Sequence, residues 1–172
     1  MLLRIRKYIF IADYLCRILG CRVALLKCVL SGLGIGTFKN CRCLSSVSMG
    51  NKVKSIGDRA FSDCISLKEI TLPQSVLSIG DYAFCRSGLE TIAIGEEVTN
   101  IGDSAFYGCN GLKEIRYAGT REMWGDIAFG RDALPKGVRV ICLGDSGGPL
   151  DKSLGSAPGG VTRGANDRGR NQ

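Results

Sequence analysis

The chain has 172 residues, 45% of them hydrophobic, and a formal charge of +7, which leaves room for one domain with tails. It contains no histidine, so a mechanism needing an imidazole base is excluded and the commonest metal ligand is missing. The charge is uneven: residues 1–54 carry ten Lys/Arg against one acid, residues 55–143 nine against twelve, and residues 144–172 four against three.

Residues 1–32 form a basic, apolar N-terminal segment. Its basic residues are interleaved with aliphatic ones and make no recognisable nucleic-acid-binding motif, so no nucleic-acid partner is expected. Arg4, Arg6 and Lys7 precede Tyr8–Leu19, which is apolar except for Asp13 and Arg17. That order resembles a signal peptide, and Ile18-Leu-Gly-Cys21 resembles a bacterial lipobox, which would place a lipid on Cys21. The two charges argue against export, and the five residues Tyr8–Ala12 before the first charge are far too few for a membrane span. Three other readings stand beside it: an amphipathic cap, a reading frame truncated or shifted at its start, or a degraded coil. In the last, Cys21-Arg-Val-Ala24-Leu-Leu26 is a faint copy of the strand that follows. Membrane association is expected only if this segment is lipidated.

Residues 33–117 repeat a unit of 22 or 23 residues. Phe38, Phe61, Phe84 and Phe106 are spaced 23, 23 and 22 apart, and each is followed by the same hexapeptide. The copies are Leu44-Ser-Ser-Val47-Ser-Met49, Leu67-Lys-Glu-Ile70-Thr-Leu72, Leu89-Glu-Thr-Ile92-Ala-Ile94 and Leu112-Lys-Glu-Ile115-Arg-Tyr117. Each ends in apolar–polar–apolar alternation, the mark of a strand with one buried face. Val53, Val76 and Val98 follow, then Ile56-Gly57, Ile79-Gly80 and Ile101-Gly102, then Ala60-Phe61, Ala83-Phe84 and Ala105-Phe106. The glycine reads as a corner needing backbone freedom. Asp58, Asp81 and Asp103, each just past it, read as N-caps of one short helical turn. One such unit cannot bury its apolar face alone, so the copies must stack.

This pattern resembles the BspA-type leucine-rich repeat, found in many bacterial surface proteins. After the last copy, Tyr117-Ala-Gly-Thr120, Trp124, Ile127 and Val138-Arg-Val-Ile-Cys142 are similar to the segment that closes such arrays. The resemblance implies a leucine-rich-repeat solenoid of stacked 22–23-residue coils with a parallel β-sheet, short helical turns and loops. It places the closing segment at residues 118–143. It also implies a non-enzymatic, protein-binding role at a cell surface or in secretion, with host or neighbouring-cell surface proteins, matrix proteins among them, as adhesion partners. An intracellular scaffold, or a fragment of a longer array, is the alternative.

On such a solenoid the outward strand positions form the partner-binding face: Ser46, Ser48, Lys68, Glu69, Thr71, Glu90, Thr91, Lys113, Glu114 and Arg116. Ser45 and Ala93 share it. Its plain reading is a solvated surface with cross-strand ion pairs. No cofactor or metal is expected. Cys41, Cys64 and Cys109 lie three residues past a repeat phenylalanine, where another copy has Ser87, and read as a buried column of small side chains. The first coil lacks an evident cap, so self-association is expected.

Residues 144–172 are a Gly/Arg-rich tail, disordered by composition. Cys142-Leu-Gly-Asp-Ser146-Gly-Gly-Pro-Leu150 resembles the nucleophile loop of trypsin-like serine proteases, which would make Ser146 the nucleophile. Without histidine that triad cannot be assembled, Lys152 sits in the tail, and only twenty-two residues follow Leu150. Chance likeness in a glycine-rich loop is the reading we adopt.

Overall fold

The computed structural model describes residues 23–26 and 32–145. Most of the N-terminal segment, Ser146 and the rest of the tail lie outside the described residues. Within them the strands are β1 (Val23–Leu26), β2 (Ser46–Met49), β3 (Ser55–Ile56), β4 (Glu69–Thr71), β5 (Ser78–Ile79), β6 (Thr91–Ile94), β7 (Asn100–Ile101) and β8 (Glu114–Tyr117). Helix α1 (Arg121–Gly125), β9 (Ala128–Phe129) and β10 (Arg139–Cys142) complete the order.

The chain winds into a solenoid with all its ladders parallel. The main sheet has the order β10-β8-β6-β4, in a register that joins Ile70 to Ile92, Ile92 to Ile115 and Ile115 to Val140. Alternation along each strand buries these residues and turns their neighbours outward. β2 pairs with β1 instead of β4, in the 23-residue register of the faint copy, Val23 opposite Ser46. Val47 and Met49 in β2 are only partly buried, unlike the isoleucines of the later rungs. The sheet is therefore interrupted after the first coil.

A second sheet, β3-β5-β7-β9, runs along another side of the solenoid. It stacks Ile56, Ile79, Ile101 and Phe129, and Leu33 bridges to Ile56. Sequence patterning predicts only one sheet, because rungs of two residues are too short to show a period.

The segment after each corner glycine is a run of tight turns, not the expected capped helical turn. Its amides alternate in direction. Ala60, Ser62 and Cys64 bond three residues back, while Arg59, Phe61 and Asp63 donate to Asp81, Ala83 and Cys85 of the next coil. The aspartates do not cap their own turn either. Asp58 Oδ1 accepts the amide of Asp81 at 3.0 Å, Asp81 Oδ1 that of Asp103 at 2.8 Å, and Asp103 Oδ1 that of Arg131 at 2.7 Å.

The corner glycines are required by crowding rather than by freedom. A Cβ on Gly80 would lie 2.4 Å from Asp58 Oδ1 and 2.7 Å from the Asp58 nitrogen. The left-handed conformation falls two residues later, at Gly36, Arg59, Tyr82, Ser104 and Asp132. It falls again at Asn40, Asp63, Arg86 and Gly108.

Between the two sheets and the turns lies one core. The four repeat phenylalanines are fully buried and stacked ring on ring, with centroids 5.3 to 5.4 Å apart. The small-residue column packs beside them as expected: Cys64 Sγ donates to the Phe38 carbonyl at 3.1 Å and Cys109 Sγ to that of Phe84 at 2.9 Å. At the closing end Trp124 of α1 lies edge-on to Tyr117 at 5.2 Å and against Phe129 at 5.3 Å. Gly119 clears the Tyr117 ring, which a Cβ would meet at 2.7 Å, and Thr120 caps α1 by accepting from the Met123 amide.

Candidate binding surfaces

The main sheet brings eight of the sequence-derived face residues into three rows. Glu69, Thr91 and Glu114 stand in one register row, Thr71, Ala93 and Arg116 in the next. Lys68, Glu90 and Lys113 line up just before the strands, where Glu90 donates its amide to Lys68 O at 2.8 Å and Lys113 to Glu90 O at 3.0 Å. Ser46 and Ser48 are exposed on β2, outside this ladder.

Sequence reasoning reads Val140-Ile-Cys142 as a closing strand but leaves the outward residues of that strand off the face. β10 sets Arg139 opposite Glu114 and Ile141 opposite Arg116. The alternation in Val138-Arg-Val-Ile-Cys142 was the signal for it, since Arg139 and Ile141 take the outward positions that Glu114 and Arg116 take in β8.

The charges on this face largely neutralise one another. Lys68 Nζ is 3.3 Å from Glu90 Oε1. Glu114 is held from two sides, by Arg116 Nε at 2.7 Å and by Arg139 Nη2 at 3.3 Å. Such exposed pairs contribute about 0–1 kcal/mol apiece, so their main effect is to fix side-chain positions. The result is a polar, charge-balanced sheet face, and among the described residues no three metal-binding side chains converge.

The ridge of turns is a second exposed surface, and its charges are arranged differently. Arg86 Nε donates to Asp63 Oδ1 at 2.9 Å, and Arg131 Nη2 lies 3.3 Å from Asp103 Oδ2. Partial burial pushes the Asp63 carboxyl up, but hydrogen bonds from Arg86 and Ser62 and the Arg86 charge outweigh it and hold it below its ordinary value. The bond from the Arg131 amide, with the guanidinium beside it, does the same for Asp103. The Arg59 guanidinium lies over the Tyr82 ring, 5.1 Å from its centre.

Solved structures similar to this chain are bacterial repeat proteins. A leucine rich cell surface protein from Faecalibacterium prausnitzii A2-165 superposes with a TM-score of 0.57 at 27% identity, over 63% of this chain and 35% of that one. A leucine-rich repeat protein from Bacteroides ovatus ATCC 8483 is 34% identical over 56% of this chain and 32% of that one, with a TM-score of 0.46. A leucine rich repeat protein from T. pallidum is 20% identical over 66% and 70% of the two chains, with a TM-score of 0.47. The chain spans about a third of the length of the first two structures. No curated protein matches it. The family model for the BspA type leucine rich repeat region, a region of six copies, matches residues 32–136, and the chain belongs to that family.

Proposed function

We propose that this chain is a non-enzymatic module that binds proteins at a cell surface in adhesion. Its partner is a surface protein of a host or neighbouring cell, with matrix proteins the first class to test. The partner meets the plane made by Lys68, Glu69, Thr71, Glu90, Thr91, Lys113, Glu114 and Arg116, with Ser46 and Ser48 at its margin. One observation carries this reading: the outward rows are continuous from Glu69 to Arg139, while the core uses only the inward ones. Four laddered strands about 4.8 Å apart give a plane roughly 15–20 Å wide, enough for a modest interface. The cell-surface protein from F. prausnitzii, with the same fold, supports the location.

The test is binding of the purified chain to a panel of immobilised matrix proteins, alongside a Lys68→Glu, Lys113→Glu, Arg116→Glu variant. Binding that the triple reversal abolishes, with an unchanged circular dichroism spectrum, supports the reading. Binding that survives it moves the site elsewhere. Intact mass and cell fractionation test location: a chain starting at a lipidated Cys21 in the membrane fraction supports surface display. A full-length unmodified chain in the soluble fraction favours an intracellular scaffold.

A further inference from the structure

The turn ridge displays side chains that its backbone disfavours. The left-handed conformation crowds Cβ against the carbonyl oxygen, and glycine escapes that contact. The first coil places Gly36 at this position (φ 64), but the next two place Arg59 (φ 54) and Tyr82 (φ 55) there. Four residues further on, Arg86 (φ 53) stands where the following coil has Gly108 (φ 72). Strain of this kind gathers at binding and switch sites. Arginine and tyrosine are also the residues that dominate binding hot spots, and the main-sheet face lacks exposed aromatics.

The charges on the ridge point to the class of partner. Asp63 is paired with Arg86 and Asp103 with Arg131, while Asp58 and Asp81 keep their charge and each direct one carboxylate oxygen to an amide of the coil that follows. Arg59 makes no ion pair with any described residue. Its guanidinium rests on the Tyr82 ring instead. A guanidinium laid against an aromatic ring holds its N–H donors in a fixed fork, the geometry that matches a carboxylate.

We propose that Arg59 and Tyr82 form a docking point for a carboxylate side chain on an acidic segment of a protein partner. The site lies on the turns and not on the main-sheet face, so it fails or succeeds separately from the face named above.

The experiment uses the full chain, fluorescein-labelled poly-L-glutamate and fluorescence anisotropy at physiological salt, with a melting temperature for every variant. Arg59→Gly removes the fork and relieves the backbone at once. Its affinity should fall at least about fivefold, the loss of one charge-assisted contact, while its melting temperature rises. Tyr82→Gly should behave alike, and Lys136→Ala, at an exposed lysine away from both surfaces, should stay within about twofold. A wild-type chain that does not bind, an Arg59→Gly chain that binds equally well, or an equal loss in Lys136→Ala would overturn the proposal. So would a loss of affinity with a lower melting temperature, because Arg59 would then be structural.

Discussion

The amide of Asp103 donates to the carboxylate of Asp81 at 2.8 Å, one coil away. With Asp58 below and Arg131 above, this makes a ladder of side chain to backbone bonds along the corner of the solenoid. Each aspartate therefore stabilises the contact between coils and not the coil it belongs to. Asp81→Ala should cost about 1 kcal/mol, the usual net value of such a bond at an exposed site. Asp81→Asn keeps an oxygen acceptor and should cost less than half of that. Urea unfolding of the two variants checks this, and equal costs would show that charge matters more than the bond.

Gly80 is fixed by the same ladder. With rigid backbone of the neighbouring coil 2.7 Å from a Cβ at that site, Gly80→Ala should destabilise by more than about 2 kcal/mol. Gly125 has nothing within 4 Å of a Cβ and ends α1. Gly125→Ala should therefore be neutral or stabilising by up to about 1 kcal/mol. A thermal melt of the pair decides whether crowding or flexibility explains the corner glycine.

Ser104 sits at φ 51 with no side-chain hydrogen bond among the described residues. Ser104→Gly should raise stability by about 0.5–1 kcal/mol through relief of the left-handed strain, and Ser104→Val should lower it by about 1 kcal/mol. Melting temperatures moving in the same direction for both would rule out the strain account.

Much of this architecture was legible because a stacked fold writes its period into the sequence. Phe38, Phe61, Phe84 and Phe106, at intervals of 22 or 23, are the residues whose rings stack, and Cys64 and Cys109 pack beside them. The outward residues of β4, β6 and β8 followed from alternation alone. What stayed hidden depends on contacts between coils. The two-residue rungs Ser78–Ile79 and Asn100–Ile101 are too short to show a period. Gly-Asp followed by arginine or tyrosine carries no local preference for positive φ, so the conformation of Arg59 and Tyr82 comes from stacking. Arg139 was missed because the last repeat is stretched: its strand pairs 25 residues beyond Glu114.

Phe84 is the centre of the ring stack, fully buried with neighbours on both sides at 5.3 Å. Phe84→Ala should cost about 3–5 kcal/mol and divide the core into two short halves. In a linear array each coil depends on its neighbours. Hydrogen exchange should therefore accelerate on both sides of the substitution, and protection kept at full strength in both halves would contradict a continuous core.

Stability should also fall at both ends of the pH scale, for different groups. Asp63 and Asp103 lie below their ordinary 3.8 in the folded chain, for the reasons given above. The stabilisation they supply is thus present above pH 3.8 and lost as the pH drops through their folded values. Burial pushes the thiols of Cys85, Cys109 and Cys142 above their ordinary 9.0. Their contribution is complete below pH 9.0 and disappears as the pH rises through the folded values. A plateau between about pH 5 and pH 8 follows. Urea midpoints measured across about pH 2–10 test it, with Asp103→Asn expected to flatten the acid limb. Cys109→Ser should flatten the alkaline limb, since Ser87 already shows that a hydroxyl fits this column. An acid limb identical in wild type and in the Asp63→Asn, Asp103→Asn double variant would assign acid unfolding to other carboxylates.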